Sequence, residues 1–147
     1  GPCGTPVCGS YNYCSSAMNS SGATCLMTVN GSTSISDNNM VLEALGAVGG
    51  QPGIIYYGPN QMQQPFGHGF RCVTGGVGEI QRLTNAILPS IFGDYSVNLD
   101  FTVAPLGAGM NAIAPGDTQN FQTWYRDPAA GGAGFNLSDA VSITFCP

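Results

Sequence analysis

Lysine is absent from this 147-residue chain, and three arginines (Arg71, Arg82 and Arg126) stand against eight carboxylates, for a net charge of −5. A nucleic-acid-binding surface displaces counterions with many basic groups, so that class of partner is excluded by the charge count. The chain has one histidine, His68, and one tryptophan, Trp124. With a single imidazole and no Gly-x-Ser-x-Gly elbow, no nucleophile, base and oxyanion set can be assembled, so neither an enzyme nor a cofactor is expected. No apolar run approaches the ~20 residues that cross a bilayer as a helix, so membrane insertion is not expected either. Charged residues make up 7% of the chain, against roughly 25% in ordinary soluble domains. Hydration falls instead to Ser, Thr, Asn, Gln and Gly, a surface suited to life outside the cell.

Cysteine, in contrast, is plentiful: Cys3, Cys8, Cys14, Cys25, Cys72 and Cys146 form an even set. Zinc is the competing use. "CGTPVC" has a plausible ligand spacing, but only His68 could add an imidazole and no second close pair follows. Composition and compartment favour disulfides, with at least two bridges expected and Cys3 to Cys8 a possible tight clip. The sequence does not choose among the pairings. Carboxylates offer no better metal site. Asp37, Asp94 and Asp117 sit in turn sequences, and calcium ligation by Asp127 and Asp139 lacks the dense Asp/Asn loop it would need, so no metal is expected.

Along the chain, residues 1–22 show no periodicity and are dominated by Gly, Pro and Ser, which predicts an extended N-terminal arm. The opening Gly1-Pro2, without Met, is expected of a processed chain or of a remnant of expression. From residue 23 the pattern becomes period two. Strands are predicted in "ATCLMTV" (23–29), "NMVLEAL" (39–45), "GIIYYG" (53–58), "GFRCV" (69–73), "EIQRL" (79–83), "YSVNLDFTV" (95–103), "TQNFQTWYRD" (118–127) and "DAVSITF" (139–145). "TGGVG" is read as a hairpin connection between the fourth and fifth of these. Val97, Leu99, Phe101 and Val103 are expected inside, as are Val141, Ile143 and Phe145, with Ser142 and Thr144 outside. "EIQRLTNAILPSIF" also allows one helical turn before Pro89. The fold expected is all-β: a single antiparallel β-sandwich, jelly-roll or Greek-key-like, over residues 23–147, carrying the arm 1–22.

Two groups of residues invite a sharper reading. Trp124 and Arg126 share one face of a strand, beside Tyr125, Asp127 and Asp139. They form either a structural corner, with Arg126 forked onto Asp139 or a carbonyl, or an aromatic and charged platform for a sugar. His68, in "QQPFGHGF", reads as a turn residue. "NSS" at Asn19, "NGS" at Asn30 and "NLS" at Asn136 are possible glycosylation sites, in a chain where Ser and Asn are common enough for chance matches.

Taken together, "PFGHGFRCVTGG" and "APGDTQNFQTWYRDPAAGGAGFNLSDAVSITFCP" resemble a module near the C-termini of bacterial secreted and surface proteins. The shared positions are Tyr13-Cys14, Asn19 to Gly22, Tyr57 to Pro59, Pro65 to Val73, Pro115 to Pro128 and Phe135 to Asp139, so the resemblance spans residues 13–147. This chain departs in having Gln119 where Trp is common and in adding Cys3, Cys8 and Cys25. The resemblance implies an extracellular or cell-surface β domain, a Cys14–Cys72 pairing because the module carries both, and no catalytic residues.

Two functions of different kinds remain open. The one expected first is a structural module that self-associates into a homopolymer such as a surface filament, with contacts through residues 1–22. Edge strands are ordinarily guarded by charge, which is scarce here, and an arm of about 20 residues reaches on the order of 60 Å. The other is a secreted module that binds carbohydrate or another ligand through Trp124 and Tyr125.

Overall fold

The structure, a computed structural model, describes residues 8–76 and 80–147. Its strands are β1 (Gly9–Tyr13), β2 (Leu26–Asn30), β3 (Val41–Leu45), β4 (Gly53–Gly58), β5 (Asn60–Phe66), β6 (Gly69–Thr74), β7 (Gln81–Arg82), β8 (Tyr95–Asn98), β9 (Thr118–Arg126) and β10 (Phe135–Thr144). A single 3-10 turn at Pro128–Ala130 is the helical element among the described residues. Every pairing between these strands is antiparallel. The all-β, sandwich-like architecture expected from the alternating sequence is therefore present.

A five-stranded sheet, in the order β1-β10-β9-β4-β7, forms the middle of the molecule. On one face lies the three-stranded sheet β2-β3-β8, and between the two sits the main core. Met27, Leu42 and Ala44 from the smaller sheet meet Ile55, Tyr57, Phe121, Tyr125, Val141 and Ile143 from the larger. The opposite face of the central sheet carries the β5–β6 hairpin over a second core of Tyr56, Cys72, Val73, Leu137 and Ala140. The central sheet is thus covered on both sides, which a two-layer sandwich would not require.

This third layer explains the departures from simple alternation. Ser142, expected outside, is 1% exposed, and Thr144 is half-buried. Ser142 stands in register between Tyr11 of β1 and Asn120 of β9, on the sheet face that the hairpin occupies. β5 itself escapes the periodicity reading because "NQMQQPF" is polar, contains Pro65 and buries almost nothing. "TGGVG" does not join paired strands: β6 pairs with β5 and β7 with β4, so the chain here leaves the hairpin for the central sheet. Val77, Gly78 and Glu79 of that stretch lie outside the described residues.

No helical turn forms between Ile80 and Phe92. Instead Ile87 exchanges two backbone hydrogen bonds with Gly53, each 2.9 Å, so the segment runs beside β4. Regular pairing in "YSVNLDFTV" stops at Asn98. Leu99 and Phe101 are still buried, but Val103 is 52% exposed.

Residues 8–22 differ most from the expected arm. β1 pairs along its whole length with β10 of the same chain, from Gly9 opposite Thr144 to Tyr13 opposite Ala140. A disulfide stands at each end of it: Cys8–Cys146, with Cα atoms 5.7 Å apart, and Cys14–Cys72, at 6.1 Å. The Cys3–Cys8 clip is therefore not formed, and Cys3 lies outside the described residues. Cys25 is a buried free thiol whose pKa is pushed up by desolvation first and by Asp139 next.

Candidate functional site: a groove around Trp124

Strand β9 divides its side chains between the two cores. Phe121, Thr123 and Tyr125 point toward the three-stranded sheet, while Asn120, Gln122, Trp124 and Arg126 point toward the hairpin. Gln122, fully buried, has all its hydrogen-bonding capacity engaged. Its Oε1 accepts from Tyr56 Oη (2.5 Å) and Cys72 N (3.0 Å), and its Nε2 donates to the carbonyls of Phe70 and Ser138, both at 2.8 Å. One amide thereby ties β9 to β4, β6 and β10. Asn120 adds a second tie, donating to Gly58 O (3.1 Å) and accepting from Gln61 Nε2 (3.1 Å).

The two aspartates singled out in the sequence act as fasteners in separate places. Asp127, buried, accepts from the Ser20 amide (2.9 Å) and from the Ser20 hydroxyl. Asp139 accepts from Met27 N (2.7 Å) and Asn12 Nδ2 (3.0 Å), which joins β10 to β2 and β1. Burial raises the Asp139 pKa, and its two hydrogen bonds only partly oppose that shift. Arg126 does not pair with Asp139. Its guanidinium lies over the Trp124 ring, 5.5 Å from the centroid. Tyr125 is fully buried on the opposite face, where its hydroxyl accepts from Asn19 Nδ2 (3.2 Å), so it cannot join Trp124 in a surface platform.

Trp124 is half-buried and borders an open groove of about 300 Å³, the lower end of the size range for ligand pockets. Ile54, Tyr56, Phe66 and Ile80 supply the apolar surface and Arg71 and Arg82 the charge. Trp124 is braced by Phe135, with ring centroids 5.3 Å apart, and Phe66 packs edge-on to the same Phe135 at 5.0 Å. Two sheets therefore meet at the groove: β4, β7 and β9 form its floor, and the β5–β6 hairpin forms a wall. Arg71 donates Nε–H to Val73 O at 3.1 Å, leaving its terminal nitrogens available. Burial raises the Tyr56 pKa, with Arg71 working in the other direction.

His68 occupies the β5–β6 turn, where its Nε2 lies 2.7 Å from Gly131 O and anchors the hairpin to the β9–β10 connection. Of the three sequons, only Asn30 is exposed, with its amide donating to Glu43. Asn19 is buried and donates to Gly46 O at 2.8 Å, and buried Asn136 donates to the carbonyls of Ala17 and Met18. Among the described residues no group of three or more His, Cys, Asp and Glu is placed to hold a metal, and no helix is long and apolar enough to cross a membrane.

The motif residues divide cleanly between fastening and exposure. Asn120, Gln122, Asp127, Asn136 and Asp139 are consumed by structure, whereas Trp124 and Arg126 reach the surface. Nothing in the sequence marked the groove residues Ile54, Phe66, Arg71, Ile80 and Arg82 as neighbours, because four separate strands and a loop bring them together only in the fold. Comparison with protein-family models, with curated proteins and with solved structures finds no match to this chain, so the groove's chemistry has to be read from its own residues.

Proposed function

We propose that this chain is an extracellular, disulfide-fastened β-module that binds carbohydrate in the groove beside Trp124. One observation carries the reading: the chain's single Trp is left partly open in an apolar groove, although Asn120, Gln122 and Asp127 beside it in the motif are committed to internal contacts. Sugar rings present apolar C–H faces as well as hydroxyls, and an aromatic surface with polar groups at its margin suits both. One wall of the site, β6, is held by the Cys14–Cys72 disulfide, and its floor strands lie in the central sheet, which supplies the rigidity that recognition needs. Those disulfides, and the resemblance of residues 13–147 to a module of bacterial secreted and surface proteins, support a place outside the reducing cytoplasm. Trp124 emission reports directly on the groove. A glycan array followed by fluorescence titration is expected to find an oligosaccharide that shifts that emission, with the shift and the binding lost in Trp124→Ala. An array without binders and an unchanged emission would reject the reading.

Self-association is the second reading, and it has its own observation. The edge strands β1 (GSYNY) and β8 (YSVN) contain no charged residue, although charge is a usual guard against edge-to-edge pairing. Residues 9–13 already pair within their own chain, so any contact between subunits through them would use the outer edge of β1. Sedimentation over a wide concentration range tests it, with a homopolymer expected and a strict monomer counting against it.

A further inference from the structure

We infer that the groove selects acidic oligosaccharides, those carrying a carboxylate or sulfate on the ring, an inference that rests on the groove being a carbohydrate site. The chain has three arginines and no lysine; two of the arginines line the groove and the third rests on the Trp that borders it. The lining pair is Arg71 and Arg82, and Arg126 lies over the ring of Trp124, itself a groove residue. They arrive from β6, β7 and β9, three strands of two different sheets, so no local repeat or helical face gathers them.

None of the three is ion-paired among the described residues, although the chain carries eight carboxylates. In a protein of net charge −5 this is the one concentration of positive charge, and it borders an apolar surface. Guanidinium groups present a planar fork of donors that matches carboxylate and sulfate oxygens. Arg126 is pre-positioned by its ring contact, and Arg71 by its bond to Val73 O, so less ordering is needed when a ligand arrives. Ile54, Phe66 and Ile80 then face the C–H surface of the ring that bears the acid. A long polyanion such as nucleic acid would meet only these three cations and a repelling remainder, whereas a short acidic sugar needs no more.

The test titrates Trp124 fluorescence of the whole chain with tetragalacturonate, a heparin tetrasaccharide, neutral galactotetraose and tetraglutamate. Arg82→Gln and Arg126→Gln, both at exposed side chains, are compared after their thermal unfolding is shown to match the parent. One or both acidic sugars are expected to bind, with affinity falling as salt rises. Each substitution is expected to weaken binding by about tenfold, the loss of one charge-assisted contact. Which acidic sugar binds distinguishes carboxylate from sulfate as the recognised group. Equal binding of galactotetraose, with both variants behaving as the parent, would overturn acid selection while leaving the carbohydrate site standing. Binding of tetraglutamate as tight as that of the sugars would overturn the choice of ligand class. No response to any of the four would overturn both this inference and the reading on which it rests.

Discussion

Gln122 and Asp139 are the residues on which the layers most directly depend. Replacing Gln122 by Leu keeps its bulk but leaves Cys72 N, the Tyr56 hydroxyl and two carbonyls without their partner. At roughly 1–3 kcal/mol for each buried group left unsatisfied, partly relieved by relaxation, the variant is expected to lose about 3 kcal/mol in a urea titration. Asp139 offers a test by pH. Its folded pKa is raised above the ordinary 3.8, chiefly by desolvation. In the window between those two values the folded state holds the proton more tightly than the unfolded state. This contribution is therefore fully present at low pH and is lost as pH rises through the raised pKa. A stability profile of the parent minus that of Asp139→Asn is expected to fall across that window. A flat or rising difference would contradict the assignment.

At the scale of elements, the β5–β6 hairpin depends on its turn. Gly69 packs so closely that an added Cβ would lie 2.5 Å from Asn136 Oδ1 and 3.2 Å from Leu137 N. Gly69→Ala is expected to cost about 2 kcal/mol and to speed amide exchange in β6 before β9, as the hairpin lifts from the sheet. β4, β6 and β9 were legible in the sequence because their alternation, or their Gly-bounded apolar run, coincides with a buried face. β5 and β1 were not. One is polar and exposed, and the other is five residues of a Gly- and Ser-rich stretch kept in place by disulfides and pairing. The groove was only half legible for a related reason. Period two put Trp124 and Arg126 on one face, but nothing local indicated that Arg71, Arg82 and Phe66 would come to meet them. Tyr125 followed the rule that adjacent strand residues point oppositely, which removes it from the surface.

For the whole molecule, the two disulfides set the covalent frame. Peptide mapping without reductant is expected to recover Cys8 linked to Cys146 and Cys14 linked to Cys72, and Cys25 is expected to react with thiol reagents only after unfolding. In chain-entropy terms a loop as long as the one between Cys8 and Cys146 contributes about 4–5 kcal/mol. That bond also has a mechanical meaning. Its two cysteines are 138 positions apart in sequence and adjacent in space, so tension applied at the two ends of the chain passes through sulfur and bypasses every strand in between. Pulled from both ends in an optical trap, the oxidised protein should show no unfolding step. With reductant it should lengthen abruptly, by on the order of 450 Å of newly released chain. A domain wired in this way could sit within a tethered or tensioned structure and keep its groove in shape while the load goes past it.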